Sequence, residues 1–155
     1  MKQITQDEYR SRLFDDLVVG ERFQSRWMLV SAEEILEFSE KYDRQFFHLD
    51  EEAAESSRFG GLVASGAQTF AVWNVLNLEA NGDIAWIAGV GFEKFRFPNP
   101  LRPGVEFQSR SELVTARVSK SDESRGVVTH LCELWTREDQ CLFTAEVTAL
   151  VERVD

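Results

Sequence analysis

The sequence predicts an α+β fold in which an antiparallel sheet curls around one long, buried helix. Three observations carry that expectation. Between Phe59 and Leu78 the chain runs 20 residues without a charge, so the helix within it, roughly Gly66 to Glu79, has no charged face to turn to solvent. From Ile84 onward four stretches read as strands. All three prolines fall within Pro98–Pro103, which fixes a stiff, sharp reversal inside that strand-rich half.

Each element follows from local pattern. Arg22 to Val30 alternates, with Phe23, Ser25, Trp27 and Leu29 on one face, and is read as the first strand. Ser31 and Glu34 make a capping box, each side chain satisfying an amide that the first helical turn leaves free. Ile35, Phe38, Ser39 and Tyr42 then recur at helical spacing and give an amphipathic helix of about three turns. Asp50 is the N-cap of a short helix Glu51–Ser56, whose acidic first turn suits the helix dipole. The uncharged stretch is long enough to span a bilayer. Yet eight of its 20 residues are Gly, Ser, Thr, Gln or Asn, and Gly60-Gly61 turns the chain within it, so it is read as buried in protein, with no membrane partner.

In the second half, Ile84–Phe97 is an aromatic-rich strand ended by the proline loop. Val105–Val118 alternates until its apolar phase switches between Leu113 and Val114, the mark of a bulge. Ser119–Gly126 is a polar turn. Val127–Trp135 and Leu142–Val151 follow as strands, joined by the tight turn Arg137–Gln140. There is no internal repeat and no low-complexity segment. One sheet cannot cover a helix that is apolar on most sides, so a homodimer or higher homo-oligomer is expected to bury the remainder.

Composition narrows the function. The 155 residues and 17.8 kDa suit a single domain over 1–155 that builds its core without staples. A net charge of −10 argues against a nucleic-acid partner and against an anionic membrane surface. Two cysteines, Cys132 and Cys141, beside two histidines, His48 and His130, give neither a disulfide framework nor a metal-ligand set. The opening MKQITQDEYR has no apolar run behind a basic one, so a cytoplasmic, reducing setting is expected. His130 alternates within a strand and is read as structural. Cys132 and Cys141 are expected to face each other across a hairpin as reduced core thiols.

Two segments carry the chemistry. Tyr42-Asp43-Arg44-Gln45-Phe46-Phe47-His48-Leu49-Asp50 leaves the first helix with a carboxylate and an imidazole five residues apart and two phenylalanines between them. Apolar neighbours desolvate the carboxylate and make it a better base, and the two groups converging on one water suit proton abstraction coupled to proton donation. Alone, such a pair more often caps a turn and fills a core. Phe59-Gly60-Gly61-Leu62-Val63-Ala64-Ser65-Gly66 ends where the central helix begins. Free amides and the positive dipole end there can hold an oxyanion or a polarised carbonyl, and Gly66 allows close approach to its own amide. Ser65 also reads simply as an N-cap and Gly66 as a packing residue.

In their order and distance, Tyr42-Asp43…Phe47-His48-Leu49-Asp50, then Phe59–Gly66, then Val90-Gly91-Phe92-Glu93…Arg96–Gly104 resemble the MaoC-like acyl dehydratases of the hotdog-fold superfamily, which include (R)-specific enoyl-CoA hydratases. The resemblance runs from about Leu17 to near the end. It implies a hotdog fold, a sheet wrapped on a central helix, working as a dimer with an acyl-CoA thioester bound at the interface and no cofactor. It implies that Asp43 and His48 are the catalytic pair that adds or removes water at the 2,3-double bond, and that the Gly66 amide, next to Ser65, polarises the thioester carbonyl. Phe47 and Asn74 become candidate substrate contacts. Asn74 stands where several hydratases carry a serine, and Arg44 and Phe46 stand where prolines are frequent. Lys94, Arg96 and Arg102 are candidates for the phosphates of coenzyme A, and read equally well as a solvated face. A hotdog thioesterase and a non-catalytic acyl-thioester-binding or heteromer subunit are the alternatives. Retention of both Asp43 and His48 favours hydration.

Overall fold

The computed structural model describes residues 11–153; the opening segment read for a leader, residues 1–10, lies outside them. Strand β1 (Arg22–Met28) leads into helix α1 (Ala32–Tyr42), the short turns α2 (Phe46–Leu49) and α3 (Glu51–Glu55), and the central helix α4 (Gly66–Ala80). Strands β2 (Trp86–Arg96), β3 (Phe107–Val118), β4 (Arg125–Thr136) and β5 (Cys141–Glu152) complete the chain. All pairings are antiparallel, in the order β1-β3-β4-β5-β2. This is the α+β arrangement the sequence predicts.

The caps set the helix starts as read. Ser31 and Glu34 exchange their bonds at α1. Asp50 accepts from the Ala53 amide at α3, and Ser65 Oγ accepts from the Gln68 amide at α4. Val72, Trp73 and Leu76 of α4 bury against Phe107, Leu134, Leu142 and Phe143 of the sheet, forming the main core. A second cluster, Ile84, Leu113, Val128, Ala149 and Val151, closes the far end of the sheet. There the first described residues strap across the fold. Arg12 pairs with Asp83 at 2.7 Å and with Glu21 at 2.8 Å, and Arg153 reaches Asp15 at 3.1 Å. No helix of the described residues is long and apolar enough to cross a membrane.

The proline loop reverses the chain and also carries it from β2 at one edge of the sheet to β3 near the other. Leu101 is buried, and its carbonyl accepts from the Ala64 amide at 2.9 Å, so the loop braces the entry to α4. Three expectations change. Cys132 lies opposite Ala145 and Cys141 opposite Trp135, so the two thiols do not face each other; the hairpin is longer than the thiol spacing implied. β1 ends at Met28 and a register shift between Gln24 and Trp27 breaks its alternation, which leaves Leu29 exposed. Tyr42, read as part of the inward stripe of α1, is also exposed, its ring tilted against Phe38 at 4.9 Å between centroids. The bulge in β3 stands where the phase switch placed it, with the register shifting between Leu113 and Thr115.

Apolar surface remains uncovered. Val75 and Leu78 on α4, Ile87, Val90 and Phe92 on β2, and Phe97 just beyond it are 41% to 56% exposed. β2 pairs with β5 on one side, and among the described strands nothing pairs with its other edge.

Candidate active site

The chain turns sharply between α1 and α2, and that turn brings Asp43 and His48 together. Asp43 is the C-cap of α1, and His48 lies in the single turn of α2. With only Asp43, Arg44 and Gln45 between the two elements, the two side chains meet, Asp43 Oδ2 standing 4.0 Å from His48 Nε2. The imidazole is buried, while the Asp43 side chain keeps 29% of its exposure, so this chain alone desolvates it only in part.

His48 Nδ1 lies 2.6 Å from the Val63 carbonyl oxygen. A carbonyl only accepts, so Nδ1 carries the proton and, in the neutral ring, Nε2 presents its lone pair toward Asp43. Two acceptors do not bond each other. A water donating one hydrogen to each, at about 2.8 Å, would hold them roughly 4.4 Å apart. The observed gap suits such a water.

The same Val63 carbonyl belongs to the segment that opens α4. Ser65 is fully buried, its carbonyl taking both the amide and the hydroxyl of Thr69 at 2.9 Å. The amides of Gly66 and Ala67, first in the helix, have no intrahelical acceptor, and the dipole end adds positive potential there. Segment 63–66 therefore anchors the imidazole with one residue and offers free amides three residues later. A Cβ built on Gly66 would meet the Phe97 ring at 3.1 Å. That glycine admits an aromatic ring, a neighbour the sequence reading missed.

The remaining candidates divide. Phe47 stacks edge-on to His48 at 4.5 Å between ring centroids and packs on Phe59 at 5.2 Å, so it steadies the imidazole. Asn74 is exposed on α4 and lines a cavity of about 180 Å³ whose walls include neither Asp43 nor His48. Arg102 donates to the Phe59 carbonyl at 2.6 Å, beside the segment that opens α4. Lys94 is held by Glu146 at 2.6 Å, and Arg96 turns back to the Phe95 carbonyl at 2.8 Å, so the three cations do not form one cluster. Among the described residues, no group of three or more His, Cys, Asp or Glu side chains is placed to hold a metal ion. His130, read as structural, is buried against Phe23 and Trp86 and lines the same cavity as Asn74. Its inward phase in β4 was legible; the cavity beside it was not.

Known proteins resemble this chain along most of its length. The family model for the MaoC-like domain matches residues 16–134. Bacillus subtilis protein YdeM is 30% identical over 141 residues, 90% of this chain and 98% of that protein. The 3-hydroxyacyl-thioester dehydratase Z of Mycobacterium tuberculosis is 31% identical over 94 residues, 59% of this chain and 62% of that protein. A MaoC-like dehydratase from Rhodospirillum rubrum superposes with a TM-score of 0.87 at 35% identity, covering 93% of this chain and 99% of that one. The double-hotdog protein Rv0216 of M. tuberculosis superposes with a TM-score of 0.81 at 16% identity, over 93% of this chain and 45% of that one, and shares the hotdog fold.

Proposed function

The chain belongs to the MaoC-like domain family, and from that membership we propose that it is a hydro-lyase acting at the 2,3-double bond of an acyl thioester, of the enoyl-CoA hydratase or 3-hydroxyacyl-CoA dehydratase type. The observation that carries the reading is the tautomer-fixed His48, its Nε2 lone pair set 4.0 Å from Asp43 and its Nδ1 tied to the segment that opens α4.

In the hydration direction, Asp43 and His48 Nε2 hold one water by its two hydrogens. As the water oxygen attacks C3, a proton passes to Nε2, and negative charge moves through C2 to the thioester oxygen. The free amides at Gly66 and Ala67 meet that charge with fixed dipoles. The proton on Nε2 then transfers to C2, while Nδ1 keeps its bond to Val63. Elements of water are added and nothing else is consumed, so the reaction balances without an oxidant or reductant. Because His48 returns to C2 the proton that it took from the attacking water, hydrogen and hydroxyl arrive on one face of the double bond. Coenzyme A is the expected thioester carrier, with Arg102 and Arg96, neither paired with a carboxylate among the described residues, as candidate contacts for its phosphates.

The test is absorbance of crotonyl-CoA mixed with purified protein, followed with a thiol reagent. Loss of the enoyl band without free thiol is the expected result. Thiol release would make the protein a thioesterase, and no change at any concentration would leave it a binding subunit.

A further inference from the structure

The proline loop holds the segment that opens α4 through two neighbouring residues. The Leu101 carbonyl accepts from the Ala64 amide at 2.9 Å, and Arg102 Nη2 donates to the Phe59 carbonyl at 2.6 Å. Between those two points the chain passes through Gly60, at φ 65°, and Gly61. Adjacent glycines make a turn with little conformational preference of its own. The Arg102 guanidinium lies across that turn, its Nη1 3.6 Å from where a Cβ on Gly61 would stand. The loop itself is a firm anchor. Arg102 stands between the buried Leu101 and Pro103, and the Gly104 amide bonds the Val30 carbonyl at 2.8 Å.

Segment 59–64 in turn holds His48 from two sides. Val63, next to the tethered Ala64, accepts from Nδ1 at 2.6 Å, and its amide reaches the Phe47 carbonyl at 3.4 Å. Phe59, whose carbonyl Arg102 holds, packs its ring on Phe47 at 5.2 Å, and Phe47 lies edge-on to the imidazole at 4.5 Å. The bond to Val63 sets which nitrogen is protonated, and the ring contacts set the tilt of the imidazole. Both routes lead back to the proline loop. One ends on the Leu101 backbone, which is there whatever the side chains are. The other ends on a single side chain, and a hydrogen bond from a charged donor is among the stronger kinds.

We propose that Arg102 is a positioning residue for His48. By holding the Phe59 carbonyl it fixes the Gly60-Gly61 turn and, through Phe59 and Phe47, aims the imidazole at Asp43. This rests on the hydro-lyase reading above and deepens it, because the role does not depend on the carrier of the thioester. The 4.0 Å gap between Asp43 and Nε2 has to be kept for one water, and a misplacement of about 1 Å in such a site costs on the order of 10²-fold in rate.

The experiment separates this role from a contact with coenzyme A. Arg102→Met keeps the length of the side chain without a donor, and Arg102→Lys keeps the charge and a donor. Each is assayed with crotonyl-CoA and with crotonyl-pantetheine, which carries no phosphate. The kcat of Arg102→Met is expected to fall at least about tenfold on both thioesters, with Arg102→Lys in between. A residue that only held phosphates would raise KM for crotonyl-CoA and leave crotonyl-pantetheine untouched. The second readout needs no substrate. The chain has two histidines, so nitrogen NMR at alkaline pH, where imidazoles are neutral, resolves both rings, and His48→Gln assigns them. In Arg102→Met the two nitrogen shifts of His48 should move toward each other as the bond to Val63 loosens, while those of His130 stay in place. An unchanged kcat on crotonyl-pantetheine overturns the proposal. So do His48 shifts that keep their wild-type values, or that move only together with those of His130. If the wild-type protein hydrates neither thioester, the hydro-lyase reading falls and the His48 shifts alone decide the role of Arg102. Wild-type rates on both thioesters in Arg102→Met would leave that reading standing and remove the positioning role.

Discussion

The bond from His48 Nδ1 to the Val63 carbonyl decides which nitrogen does chemistry, and it makes the pair with Asp43 testable as a unit. His48→Gln removes the group that carries the proton and Asp43→Asn the charged acceptor that holds and orients the water, both at nearly unchanged size, so each is expected to lower kcat by at least about 10²-fold with folding intact. Steady-state kinetics of the double variant should be little worse than either single one, since groups sharing one water are not additive. Gly66→Ala does not probe the amide alone, because Phe97 packs where the new methyl would go: a fall in turnover counts for the oxyanion role only if Gly66→Ala with Phe97→Ala remains slow. Ser65→Ala, by contrast, should cost about 1 kcal/mol of stability through the lost cap. His130 gives a pH signature. Its folded value, about 4, lies below the usual 6.5, so the unfolded chain binds the extra proton first. Stability is unaffected above about pH 6.5 and falls as pH drops toward 4, by on the order of 3 kcal/mol; denaturant melts of His130→Leu should show that part of the slope gone. The pair of catalytic candidates was legible because both members sit in one short segment. The tautomer was not, because the carbonyl that sets it is 15 residues away.

Caps and alternation made most elements readable, since Ser31, Asp50 and Ser65 act through bonds only three residues long. The failures are long-range. Three prolines announce a stiff loop, but only packing of Leu101 against the entry to α4 shows that the loop crosses the sheet. α2 is a single turn, too short to leave a period in sequence, and its register comes from the Val63 tie. β2 brings the ring centroids of Phe92 and Phe95 to 6.0 Å through one left-handed residue, Lys94. Lys94→Gly is therefore expected to be neutral or stabilising despite losing an exposed pair with Glu146. Lys94→Val, β-branched at positive φ, should lower stability by about 1 kcal/mol or more. Thermal melts of the two side by side check the sign.

At the scale of the molecule, the uncovered faces of α4 and β2 are the strongest argument for a second copy of the chain. Isolated chains would keep six large apolar residues near half exposure along one edge. A homodimer is the expected species in sedimentation, and a stable monomer at micromolar concentration would overturn it. Val90→Lys places a charge in the middle of that edge and should shift the protein toward monomer. The strap at the opposite end of the sheet leads elsewhere. Because Asp15 and Arg153 are held 3.1 Å apart, the opening part of the described chain and its last residue are adjacent in space though far apart along the chain. The order in which the strands are synthesised is thus separable from the order in which they pair. A circular permutant that joins Arg153 to Ser11 by a short Gly/Ser linker and opens new ends in the exposed turn at Glu138-Asp139 should assemble the same sheet.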